Sequence, residues 1–157
     1  MKHFITVVSI MVILILPVGA MAGKVEKTFK VTANVPGKCW FNQAEDLNFG
    51  EYDTTSSSPT YGSNDISFHC TKGTSYWLYI TGTRSMTSTT APAEALNFGL
   101  YTDVNRTNEF PAIKTGSGTT ADNENQITKT VYGKIPEKQS VTIGSSFEQV
   151  LTATIEW

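Results

Sequence analysis

Two cysteines, Cys39 and Cys70, are the residues of this sequence whose type and spacing point most clearly to a reaction, namely disulfide formation. In an exported protein, an even number of cysteines is typical of disulfide formation, in which two thiols are oxidised and joined. A bridge between them closes a loop of 32 residues, counted inclusively, and contributes about 3–4 kcal/mol in the chain-entropy model. Two separate buried thiols are the alternative, and we expect the bridge.

Catalysis and metal binding have little support in the sequence. His69 and His3 are the two histidines, so His69 has no nearby imidazole with which to hold a metal or share a proton. The carboxylates stand in polar contexts typical of solvated loops, at Glu45-Asp46, Asp103, Asp122 and Glu124. A carboxylate pair for glycoside hydrolysis is the less favoured alternative. We therefore expect no enzyme activity, no metal and no cofactor.

The N-terminus has the pattern of a secretory signal peptide. Lys2 and His3 precede an apolar run from Phe4 to Val18, and Ala20-Met21-Ala22 forms a small-x-small cleavage site,. The mature chain then begins at Gly23, whereas a retained membrane anchor is the alternative. Export places the two cysteines in an oxidising compartment, which favours the disulfide.

The size and charge of the mature chain limit what it can be. Removing 22 residues leaves 135, enough for one domain with a core and too few for two. Eleven Lys and Arg against fourteen Asp and Glu give a net charge of −3. The positive residues are scattered rather than clustered, so we expect no nucleic-acid partner.

An alternating segment comes first in the mature chain. Its even positions from Lys24 to Asn34 are all polar, and apart from Lys27 its odd positions are apolar: Val25, Phe29, Val31, Ala33 and Val35. A period of two with one apolar face is typical of a half-buried strand. Because this strand precedes the globular part, it can serve the sheet of another molecule as well as its own.

Strands separated by polar, Gly- or Pro-containing stretches also dominate the rest of the chain. The predicted strands are Asp46–Tyr52, Asp65–Cys70, Ser75–Thr81, Leu96–Thr102, Thr128–Ile135 and Gln149–Trp157. Three stretches rich in Thr, Ser and Asn are predicted to be surface loops: Thr54–Asn64, Thr83–Ala93 and Lys114–Gln126,. The pattern favours an all-β sandwich with an immunoglobulin-like layout.

The last predicted strand has no successor in this sequence. Its apolar face carries Leu151, Ala153, Ile155 and Trp157. An uncovered strand edge exposes core and unpaired backbone groups, and it invites a strand from outside. An unpaired strand at the N-terminus and an open edge on the last strand together predict donor-strand exchange between identical or related subunits. These four residues would then lie at the edge of an acceptor groove.

Four segments resemble the spore coat protein U domain: LNFGEYD (Leu47–Asp53), HCTKGT (His69–Thr74), LNFGLYTDVNRT (Leu96–Thr107) and VYGKIPEKQSVTIGSSFEQVLTATIEW (Val131–Trp157). That family includes the Csu-type secreted pilus subunits of the archaic chaperone–usher class. The resemblance covers the chain from Cys39 to Trp157. The early segment VEKTFKVTANVP also resembles the N-terminal donor segment of related pilins.

The resemblance implies a structural pilus subunit rather than an enzyme. It implies an incomplete immunoglobulin-like β-sandwich over residues 37–157, a donor strand over 23–36 and a signal peptide over 1–22. The implied partners are identical or related pilin subunits, a periplasmic chaperone and an outer-membrane usher, with no small-molecule substrate. The implied location is the cell surface, where the fimbrium supports adhesion and biofilm formation.

Two alternatives stand beside the pilus subunit. One is an adhesin or lectin-like module, in which an aromatic set stacks on sugars: Trp40, Tyr76, Trp77, Tyr79 and Trp157,. Core packing and subunit contact are the favoured roles of these side chains. The other alternative is a coat protein that self-associates without an usher.

Overall fold

The computed structural model describes residue 19, residues 23–90 and residues 94–157. The predicted signal peptide, residues 1–22, lies outside the described residues apart from Gly19. The described part contains ten strands and no helix: β1 (Cys39–Ala44), β2 (Thr60–Cys70), β3 (Ser75–Thr81), β4 (Ser85–Ser88), β5 (Ala95–Asn97), β6 (Gly99–Tyr101), β7 (Thr119–Thr120), β8 (Ile127–Ile135), β9 (Phe147–Glu148) and β10 (Thr152–Glu156). The all-β prediction is confirmed. A search of the described residues found no helix of the length and apolarity that crossing a membrane requires.

The strands form three antiparallel sheets. The first sheet has the order β1-β2-β8-β6, the second β10-β3-β7 and the third β5-β4-β9. β2 leads into β3 through residues 71–74, so the chain crosses directly from the first sheet to the second. Such a crossing places consecutive strands in facing layers, as in an immunoglobulin-like sandwich.

The core lies between the first and second sheets. Phe68 of β2 meets Tyr76 of β3 edge to face, with ring centroids 5.1 Å apart. Val131 and Ile135 of β8 are each 1% exposed and lie in the same cluster of buried residues. Since β2 and β8 are paired over nine residues, the alternation of their side chains fixes one face of the first sheet as core.

A pair of glycines shapes the middle of the first sheet. Gly62 and Gly133 lie opposite each other in the β2–β8 register. The space that their side chains leave is filled by Leu47 and Phe49, whose atoms come within 3.2 Å of a Cβ placed at either glycine. The segment 46–52 therefore crosses over the sheet, and the strand predicted at Asp46–Tyr52 is wrong.

Several other strand predictions are confirmed or corrected by the structure. β3 has the predicted bounds, and β8 extends the prediction by one residue. β2 begins at Thr60, inside the predicted loop Thr54–Asn64. β1, β4, β7 and β9 were not predicted, because each is short and rich in polar residues that alternate weakly.

The N-terminal segment is a separate unit of the chain. Contacts divide the protein into Met1–Asn34 and Val35–Trp157. Residues 23–38 form no strand, and each of these residues is exposed. A strand is defined by pairing with another, so the strand predicted over 23–36 stays a prediction about an assembled state.

Candidate assembly site

β1 and β10 are two of the edge strands of the three sheets, and each has one open edge. β1 pairs only with β2, at the end of the first sheet, and β10 pairs only with β3, at the end of the second. Cα atoms of β1 and β10 approach within 8 Å, yet no ladder joins these two described strands. The backbone groups along both edges are therefore available to a further strand.

The two open edges run in opposite directions. The end of β2 and the start of β3 lie at the same end of the sandwich because only residues 71–74 separate them. Cys39 lies opposite Cys70 in the β1–β2 register, and Glu156 lies opposite Trp77 in the β10–β3 register. The start of β1 therefore faces the end of β10, and Ala44 lies at the end where β10 begins.

The residues predicted for the groove edge lie along β10 and directly beside it. Ile155 is 8% exposed and belongs to the core, whereas Leu151 and Ala153 are half-buried against it. Trp157 follows β10 and is 55% exposed. The four residues lie on one face of the strand, as residues that line the edge of a groove must. Their role in a groove stays a prediction.

The two open edges border a gap between β1 and β10. β1 forms one side of this gap, and the sequence analysis missed it. Cys39 and Phe41 lie on the same face of β1 by the period of two. Cys39 is buried, but Phe41 is 41% exposed, so the core is incompletely covered along this strand. The signal in the sequence was the apolar pair at Cys39 and Phe41, which is too short to predict a strand by itself.

A disulfide anchors one end of β1. Cys39 and Cys70 are bonded with an S–S distance of 2.04 Å, as predicted, and no described cysteine is free. Both cysteines are buried. The bond holds the start of β1 against β2, so it fixes one wall of the gap.

Two hydrogen bonds to the Glu156 carboxylate hold the end of β10 in place. The Lys114 ammonium donates to Glu156 Oε1 at 2.7 Å, and the Tyr79 hydroxyl donates to Glu156 Oε2 at 3.2 Å. The hydrogen bond from Lys114 is the main reason that the pKa of the Glu156 carboxyl lies below its ordinary value. The bond from Lys114 joins the loop before β7 to β10, which forms the second wall of the gap.

The aromatic set proposed for sugar stacking has structural contacts. Tyr76 is buried, and the Trp77 indole N–H donates to the Gly116 carbonyl at 3.1 Å. The Lys114 ammonium lies 3.8 Å from the centroid of the Trp77 ring, which places a cation over the face that a sugar would need. Trp40 stacks on His69 with ring centroids 5.4 Å apart.

His69 also has a structural environment. Its ring lies against Trp40, and its Nδ1 is 3.0 Å from the Glu124 carbonyl oxygen. In the described residues, no three His, Cys, Asp or Glu side chains are grouped so that they could hold a metal ion.

The predicted donor residues lie together on the N-terminal segment. Val25, Phe29, Val31, Ala33 and Val35 are all exposed. Phe29 is 86% exposed and Val31 81% exposed. An apolar row as exposed as this one is unusual for a folded protein, and the donor role of these residues stays a prediction.

Comparison with known proteins gives a family and likenesses to solved structures. No curated protein matches this chain. Among solved structures, the chain is similar to a chain in the CsuC–CsuE pre-assembly complex of chaperone and tip adhesion subunit, from the archaic chaperone–usher Csu pili of Acinetobacter baumannii. The identity is 14% and the TM-score 0.48, covering 78% of this chain and 40% of that chain.

A family model, the Spore Coat Protein U domain, matches residues 25–154. The match includes the exposed N-terminal row, all of β1 and the first three residues of β10. Such a match over most of the sequence shows membership, and this chain belongs to the Spore Coat Protein U domain family.

Proposed function

We propose that this protein is a structural subunit of a chaperone–usher pilus and that it polymerises by donor-strand exchange. The observation that carries the proposal is the pair of open edges on β1 and β10 in a chain whose N-terminal segment exposes an alternating apolar row. The segment 23–36 of one subunit enters the gap between β1 and β10 of the next.

The energetics favour such an exchange. Burying Phe29, Val31 and Val35 contributes about 1.5–3 kcal/mol each and Ala33 contributes less, which gives a gross stabilisation of roughly 5–10 kcal/mol. Backbone hydrogen bonds to both open edges add to this and fix the register. A strand that inserts between two others needs them to be about 9.5 Å apart. Because Cα atoms of β1 and β10 approach within 8 Å, the two strands must move apart at these points when the donor segment enters.

The direction of the contact explains a fibre. The donor segment and the gap are different surfaces of one chain, so each contact between subunits is head to tail. Contacts of this kind need not close into a ring, and they propagate into a filament. Attachment and biofilm formation at the cell surface follow from such a filament.

The open edges also explain why assembly of the pilus requires a chaperone and an usher. Unpaired edges aggregate if they are left uncovered in the periplasm. We propose that a periplasmic chaperone lends a strand to the gap after export, and that an outer-membrane usher exchanges it for the donor segment of the next subunit.

A single substitution tests the donor role. We expect Val31→Asp in the mature chain to abolish polymers, because a carboxylate cannot enter an apolar groove without a large desolvation cost. Thr32→Asp is the matched control, since Thr32 lies on the polar face of the segment and its variant keeps polymerising. Size-exclusion chromatography and negative-stain microscopy report the assembly, and circular dichroism melting reports the fold.

The outcomes separate clearly. Wild-type and Thr32→Asp chains forming filaments, with Val31→Asp a folded monomer, support the proposal. Filaments from Val31→Asp, or a wild-type chain that remains monomeric at every concentration tested, overturn it.

A further inference from the structure

The charges of this chain are divided unevenly between the donor segment and the domain. Residues 23–36 carry three lysines and one glutamate, a net charge of +2. Residues 37–157 carry eight Lys and Arg against thirteen Asp and Glu, a net charge of −5. A basic strand and an acidic domain within one sequence suit a contact between two copies of the chain.

The positive charge of the donor segment is accessible. Lys24 and Glu26 form an ion pair, whereas Lys27 and Lys30 make no ion pair with any described residue. All of these residues are exposed. Lys24 and Lys30 lie on the polar face, so they stay in solvent when the apolar face of the segment is buried.

Negative charge is concentrated at one end of the gap. Glu45 and Asp46 directly follow β1, at the end where β10 begins, and both are exposed. Glu148 of β9 is also exposed and precedes β10 by four residues. Glu156, at the opposite end, is already paired with Lys114 and adds less. In the segments that flank the gap, 37–46 and 148–157, the one basic residue is Lys38.

From this division we infer that the acidic end of the gap, formed by Glu45, Asp46 and Glu148, attracts the basic donor segment of a second copy of this chain. The inference rests on the proposed function and adds a property to it, namely that charge speeds the capture of the strand. Opposite charges raise association rates more than they raise affinity. At physiological ionic strength, salt largely screens exposed charges that are more than about 8 Å apart. The same charges disfavour capture of an acidic strand.

The test uses the Val31→Asp chain as acceptor, because its gap is intact and it does not polymerise. Fluorescent peptides of residues 23–36 are added in three forms: the native sequence, the triple variant Lys24→Gln, Lys27→Gln and Lys30→Gln, and the Phe29→Asp variant. Stopped-flow anisotropy gives their association rates at low and high salt. We expect the rate of the native peptide to fall about tenfold between low and high salt.

The triple variant distinguishes charge from strand pairing. We expect it to bind about tenfold more slowly at low salt, with little salt dependence and an unchanged dissociation rate. Equal association rates and equal salt slopes for the native and triple-variant peptides overturn the inference and leave donor-strand exchange intact. A native peptide that fails to bind, or that binds no better than the Phe29→Asp peptide, overturns the proposed function and the inference with it.

Discussion

Strand β8 and the N-terminal segment have nearly the same sequence pattern and opposite environments. In β8 the odd positions are Ile127, Lys129, Val131, Gly133 and Ile135. In the N-terminal segment they are Val25, Lys27, Phe29, Val31, Ala33 and Val35. Val131 is 1% exposed, whereas Val31 is 81% exposed. The period of two identifies which face of a strand is to be buried, but it does not identify the molecule that buries it.

The lysine in each row makes the comparison closer. Lys129 occupies the second place in the inward row of β8 and is nevertheless exposed, because the end of a strand lets a long side chain reach water. Lys27 occupies the second place in the row of the N-terminal segment. β8 thus shows that a lysine at this place is compatible with burial of the residues that follow it.

The largest expected effect comes from placing the same charge in both strands. Val131→Asp buries a carboxylate in the centre of the core, and we expect it to cost at least about 4 kcal/mol. A domain of this size has about 5–15 kcal/mol of stability in total, so the variant loses a large share of it and unfolds at a much lower urea concentration. Urea unfolding followed by circular dichroism measures the loss.

Val31→Asp is the matched control for that experiment. Because Val31 is exposed, its substitution leaves the urea midpoint of the monomer unchanged and acts on assembly alone. Equal losses of stability in the two variants would show that the N-terminal segment is part of the core of its own subunit, and the comparison between the strands would fail.

A smaller effect is expected at the wall of the gap. Replacing both Cys39 and Cys70 with Ala removes the bond that holds β1 against β2, and we expect a loss of about 3–4 kcal/mol. Reduction of the wild-type chain by dithiothreitol provides the control, because it breaks the same bond without changing the sequence. If urea midpoints are equal before and after reduction, the bond does not stabilise the domain.

The sequence was a good guide where a strand has two different faces. β3 and β8 alternate because the core lies on one side and water lies near the other, so their positions were predictable. β1 is an edge strand and β4 is only four residues long; both contain several polar residues, and no local period marks them. The gap between β1 and β10 depends on the order of strands in two sheets, which a local pattern does not contain.

The wrong strand at Asp46–Tyr52 has a different cause. Leu47 and Phe49 alternate like strand residues, but they fill the space above Gly62 and Gly133. That contact joins residues more than 80 positions apart in the case of Gly133. A local period cannot distinguish apolar residues that pack within a sheet from those that pack across one.

The smallest expected effect sharpens the comparison at Gly133, the fourth residue in the inward row of β8, where the N-terminal segment has Val31. A Cβ at Gly133 would lie 2.6 Å from Phe49 Cζ, closer than van der Waals contact allows. We therefore expect Gly133→Ala to cost about 1–3 kcal/mol, the usual penalty of overpacking. Urea unfolding of the purified domain measures it.

A second substitution shows whether Phe49 is the cause. Phe49→Leu shortens the side chain that meets the new methyl group, so we expect the double variant to be more stable than the sum of the two single losses predicts. Gly23→Ala is the control in the N-terminal segment, where no atom lies within 4 Å of an added Cβ, and we expect no change. Strictly additive losses would place the strain of Gly133→Ala elsewhere in β8. A coupling between Gly133 and Phe49 would show that β8, unlike the N-terminal segment, is matched in shape to its own chain.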